Sequence, residues 1–167
     1  LGRMKVPLRT RALAALALGV VGANSEREDE RRYVAHTLVQ ILEGERQASP
    51  DLFVSCVTAL GLTSLAESRV STRIGGEENS VASSSRQGLI HFLTDLLHDE
   101  DRHRFVRAHA PVALARLVRG VDDPERAGVA RALLDVLGGG KKVGRLVRYG
   151  IVEGLAAIGD SDADAID

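Results

Sequence analysis

The sequence predicts an all-α fold, a right-handed superhelix of about four stacked helical hairpins, on three observations. One pattern recurs four times: an arginine or bulky residue, a small or aliphatic residue three positions later, then Ala-Leu-Gly or a near variant. The copies start at residues 10, 52, 106 and 147, in steps of 42, 54 and 41; the first and last suit the two-helix unit of about 40–47 residues that builds helical solenoids, and the middle one is longer by about a dozen. Between the copies lie amphipathic stretches with apolar residues at helical spacing.

The first copy reads Thr10-Arg11…Ala14…Ala17-Leu18-Gly19-Val20-Val21-Gly22. A second helix follows over Glu28–Gly44, with Val34, Leu38, Ile41 and Leu42 on one stripe. Ser49-Pro50-Asp51 supplies a cap and an early proline for the next helix. That helix carries Leu52-Phe53…Cys56…Ala59-Leu60-Gly61. Ser68–Gln87 has no helical period and is rich in Ser, Gly and charge, so a long loop or edge insertion is expected there. Leu89, Leu93, Leu96 and Leu97 give one face to a helix over Gly88–His98. The third copy, Val106-Arg107…Ala110…Ala113-Leu114-Ala115, contains Pro111, which removes a backbone donor and predicts a bend. Asp122-Asp123-Pro124 opens the following helix, Ala130, Leu133, Leu134 and Leu137 form its expected face, and Gly138-Gly139-Gly140 stops it. The fourth copy is Val147-Arg148…Ile151…Gly154-Leu155-Ala156-Ala157-Ile158-Gly159-Asp160.

The first helices are apolar over more of their circumference than the second, as helices held between a partner and two neighbours require. One hairpin cannot bury its face alone, so stacking supplies the core. Residues 1–167 therefore read as a single repeat domain, with units at about 6–45, 50–99, 102–138 and an incomplete 142–167. The basic Arg3–Arg11 stretch, apolar Ala12–Val21 and small Val21-Gly22-Ala23 outline a secretory signal. The same residues fit the repeat, however, and are read as part of the folded body. The chain is expected to be a fragment of a longer protein.

Only 3% of residues are aromatic and none is Trp, so the core is built from small and branched aliphatics. A net charge of −1 points to neither a nucleic-acid nor a membrane partner, and no apolar run reaches membrane-span length. The lone Cys56 sits in a small-residue slot and is expected to be a buried thiol. The compartment is open, with the cytoplasm as default.

These motifs resemble the HEAT repeat family, in particular its short bacterial, lyase-type repeats. The fourth copy is the closest, the first is next, and the third has Ala115 where Gly is usual. The resemblance covers nearly the whole chain. It implies a protein-interaction scaffold or adaptor with no catalytic activity of its own and no cofactor. The family also contains DNA glycosylases with a basic concave face, lyases acting on bilin chromophores, and di-iron hydroxylases with repeated His-Glu pairs; no His-Glu dipeptide occurs here. In the family the slot of Arg11, Arg107 and Arg148 tends to pair with aspartates of adjacent repeats.

Catalytic motifs are absent. His98-Asp99-Glu100-Asp101-Arg102-His103 could hold a metal, but a helix end scatters such side chains and a solvated terminus is the better reading. Gly138-Gly139-Gly140-Lys141-Lys142 fails the phosphate-loop pattern, with Asp135 at its first glycine and Lys142 at its hydroxyl. Charge is uneven: residues 101–150 carry eleven Arg or Lys against five Asp or Glu, and 151–167 carry five acids. Arg104, Arg107, Arg145 and Arg148 are therefore candidates to meet an acidic protein partner. Arg69, Arg73, Glu77 and Glu78 of the expected insertion are candidates because loops on rigid scaffolds often bind. Nucleic-acid binding by the basic C-terminal half is the alternative, disfavoured by the scarcity of aromatic residues.

Overall fold

A computed structural model describes residues 6–44, 49–66, 85–121, 123–139 and 143–160. Among these residues there are seven helices and no strand: α1 (Leu8–Asn24), α2 (Glu28–Gly44), α3 (Pro50–Leu62), α4 (Arg86–His98), α5 (Arg104–Leu117), α6 (Asp123–Gly138) and α7 (Arg145–Asp160). None is long and apolar enough to cross a membrane.

Local chemistry explains the boundaries. The Ser49 hydroxyl accepts a hydrogen bond from the Leu52 N–H, and Pro50 takes the first turn, where its missing donor costs nothing. Ser85 caps α4 in the same way, accepting from the Gly88 N–H at 3.1 Å. Arg86 and Gln87, expected in the insertion, therefore form the first turn of α4. Residues 68–84 of that insertion lie outside the described residues. In α2, Glu28, Asp29 and Glu30 place negative charge where the helix dipole favours it.

The odd-numbered helices pack in a row, and the even-numbered ones pack against it. α1 lies along α3, α3 along α5, and α5 along α7. α2 packs against α1 and α3, α4 chiefly against α5, and α6 against α5 and α7. A single cluster of buried aliphatics joins the helices, with Leu38, Leu60, Leu93, Leu114, Leu133 and Ile151 at 0% exposure. Burying one such side chain stabilises the fold by roughly 1.5–3 kcal/mol.

Missing side chains set the spacing within the row. A Cβ added to Gly19 would lie 2.6 Å from the Ala59 Cα, and one added to Gly61 would lie 2.7 Å from the Ala113 Cα. Both are the glycine of Ala-Leu-Gly meeting the alanine of the next copy. Between α5 and α7 the glycines belong to the later helix. A Cβ on Gly154 would stand 2.8 Å from the Pro111 carbonyl oxygen, and one on Gly150 would overlap the Ala108 carbonyl.

Arginines tie the helices together. Arg107 Nε donates to the Leu97 carbonyl at 2.9 Å, satisfying an acceptor in the last turn of α4. Arg102 Nη1 donates to the Leu42 carbonyl of α2 at 2.8 Å and lies 5.9 Å from the Phe53 ring centre. At Arg107 the repeated arginine thus serves a helix end, where an aspartate partner was expected.

Two further expectations change. α6 buries Val129 and Leu133, while Leu134 is 54% exposed and Leu137 is 36% exposed. Its apolar face is therefore turned away from the Ala130–Leu134–Leu137 stripe, because contact with α5 and α7 selects one of two overlapping aliphatic registers. Ala14 is exposed, although its counterparts Cys56, Ala110 and Ile151 are wholly buried. Pro111, where a bend is expected, is buried inside α5, which runs from Arg104 to Leu117.

Candidate functional site

Phe105, His109, Val112 and Arg116 recur at steps of four, three and four, which places them on one stripe of α5. On α7 the matching stripe carries Leu146, Tyr149 and Glu153. Between the stripes, Ala108, Ala113 and Gly150 offer a methyl group or nothing. The result is a cleft of about 370 Å³, lined also by Thr58 of α3. The small-residue contacts that bring α5 and α7 together thus also shape its floor.

Aromatic residues and cations line the cleft. Arg145 donates from Nε and Nη2 to the Tyr149 hydroxyl at 3.1 and 2.9 Å, and its guanidinium lies 5.4 Å from that ring's centre. Arg104 lies 5.5 Å from the Phe105 ring centre, and His103 stacks on the same ring at 5.2 Å. These are favourable cation–π separations. His109 Nδ1 is 2.8 Å from the Phe105 carbonyl. A carbonyl only accepts, so Nδ1 carries the hydrogen and the neutral ring keeps its lone pair on Nε2. Glu153 supplies the carboxylate and Arg116 a further cation among the lining residues. An apolar floor between aromatic and charged walls can hold an apolar side chain and orient a polar one beside it.

Of the expected site residues, Arg104 and Arg145 stand beside this cleft through Phe105 and Tyr149. Arg148 is exposed on α7, whereas Arg107 is half-buried at the end of α4. Arg69, Arg73, Glu77 and Glu78 lie outside the described residues. Glu153 and His109 were missed as site residues. The available signal was the 41-residue step that puts His109 and Gly150 in one repeat slot, opposing a side chain to a gap.

The acidic-histidine segment turns its groups to helix-end work. His98 Nδ1 meets the Thr94 carbonyl, His103 Nδ1 accepts from the Phe105 N–H, and Asp99 bonds Arg102 and the Asp101 N–H. Among the described residues no group of three His, Cys, Asp or Glu could hold a metal ion.

Away from the cleft, Glu28 ties the first turn of α2 to the segment that follows α3. Burial alone would raise its carboxyl pKa. Hydrogen bonds from Arg31, Arg32 and the Ala66 N–H outweigh that effect and hold it below the ordinary range. No protein-family model, curated protein or solved structure matches the chain.

Proposed function

We propose that the chain is part of a right-handed HEAT-type solenoid that works as a protein-interaction scaffold. It would grip a partner along the exposed side of the α1–α3–α5–α7 row, at the cleft between α5 and α7. The observation that carries this reading is the recurrence of one close helix crossing, Gly19 on Ala59 and then Gly61 on Ala113. Repeated crossings line up equivalent side chains into a strip, the geometry that suits an extended partner. The aromatic and charged lining of the cleft matches the residue types that anchor protein interfaces.

The test is site-specific photo-crosslinking. A photoreactive residue at Val112 captures a defined partner, and the Phe105→Ala, Tyr149→Ala variant reduces capture at least about tenfold. A probe at exposed Asp95 of α4 captures little. Equal capture from Asp95 and Val112, or capture untouched by the double variant, refutes the reading.

Nucleic-acid binding is favoured as a second reading by one observation, Arg104 and Arg145 lying over the half-exposed rings of Phe105 and Tyr149. Single strands stack on such rings and follow such charges. It predicts retention of single-stranded DNA that weakens steeply with salt, and no retention at low salt ends it.

A further inference from the structure

α1 is apolar on two opposite faces, and the described residues cover only one. It buries Ala12, Ala15, Gly19 and Gly22 against its neighbours. Those residues step by three, four and three and define one side of the helix. Leu13, Ala17, Val20 and Val21 occupy the other side, where Leu13 is 63%, Val20 52% and Val21 58% exposed. The extended stripe Thr10, Leu13, Ala17, Val20, Asn24 steps by three and four throughout, the pattern of a helix that packs along another helix. A helix that is hydrophobic all round belongs inside an assembly.

Charge selects the occupant. The first turn of α1 carries Arg9 and no acid, against the helix's own dipole, and nothing basic stands in its last turn. Beyond its end comes exposed Glu26. Arg9 and Glu26 lie eight and nine residues either side of Ala17. When two copies of α1 cross antiparallel at Ala17, each Arg9 meets the other copy's Glu26 and helix C-terminus. Leu13 of each copy then meets Val21 of the other, and the dipoles oppose. Parallel packing brings the two Arg9 side chains together.

We infer that this face of α1 docks a second copy of the same chain as an antiparallel, two-fold pair centred on Ala17. The inference is independent of the scaffold reading, because its face lies on α1 and the cleft lies between α5 and α7.

Sedimentation equilibrium of the full chain tests it. The wild type forms a dimer. The Leu13→Glu, Val20→Glu variant keeps its helical circular dichroism and dissociates with a Kd at least about a hundredfold higher, tenfold for each lost anchor. Cys56 is wholly buried and is the chain's one native cysteine, so an added thiol reports alone. Ala17→Cys forms a disulfide-linked dimer under mild oxidation, whereas Arg9→Cys does not. Arg9→Glu weakens the dimer, and adding Glu26→Arg restores it. A chain that stays monomeric overturns the proposal and leaves the face to a different helix. Crosslinking through Arg9→Cys with none through Ala17→Cys overturns the antiparallel pairing.

Discussion

The α1–α3 and α3–α5 junctions give up a side chain on the earlier helix, and the α5–α7 junction gives it up on the later one. Gly19 and Gly61 face Ala59 and Ala113, whereas Gly150 and Gly154 face Ala108 and Pro111. The third copy's Ala115 looks like a broken motif in the sequence. Gly154 stands where the other copies have alanine, and it meets Pro111, one turn before Ala115. The close approach needs a missing Cβ at each crossing, and either helix can supply it.

Substitutions at the glycines break this comparison most severely. Gly150→Ala drives a methyl group into the Ala108 carbonyl, backbone that cannot step aside. A loss of about 3 kcal/mol is expected in urea unfolding, at the upper end of ordinary overpacking. A stability within experimental error of wild type would show that α7 can slide along α5. Gly19→Ala meets the Ala59 Cα and is expected to cost about 2 kcal/mol. Adding Ala59→Gly moves the vacancy across the junction, as it already lies between α5 and α7. Recovery of about half the loss in a double-mutant cycle supports interchangeability, and strict additivity of the two losses denies it.

Smaller effects probe how the helices are joined. Arg107→Ala leaves the Leu97 carbonyl without its donor and should cost about 1 kcal/mol. Arg107→Lys should recover only part, since a flexible ammonium lacks the fixed fork. At Glu28 the prediction is a pH dependence. Its folded pKa is below the unfolded value of 4.5, so its stabilisation is complete above that value. It is lost as pH falls through the lowered folded pKa. The expected size is about 1 kcal/mol, and Glu28→Gln should flatten that part of the acid-unfolding profile. An unchanged acid limb would assign the drop to other carboxylates.

Helix positions were legible where punctuation and periodicity agreed. The α2 boundaries follow from Glu28 and Gly44, and all four expected leucines of α4 are buried. α6 was not legible to the same degree. Leu133 with Leu134, and Val136 with Leu137, satisfy two registers about a hundred degrees apart, and only tertiary contact chooses between them. Ser85 was hidden in a serine run, so the start of α4 was placed late. At the candidate site, composition marked the arginines of the C-terminal half but not their differing duties. Arg107 reaches back to a helix end, and Arg145 reaches along α7 to a tyrosine hydroxyl. A cleft between helices forty-one positions apart leaves no contiguous trace. Its clue is a glycine, Gly150, in the repeat slot that holds His109 one copy earlier.

Linear repeat arrays ordinarily unravel unit by unit from their ends, because each unit senses only its neighbours. The Arg102 contact to Leu42 departs from that rule, since it spans sixty positions and steps over α3 and α4. Amide protons in the final turn of α2 should therefore exchange in step with the α4–α5 corner rather than with a frayed first unit. The N-terminal pair is clamped by a residue far downstream, and its release becomes a cooperative event.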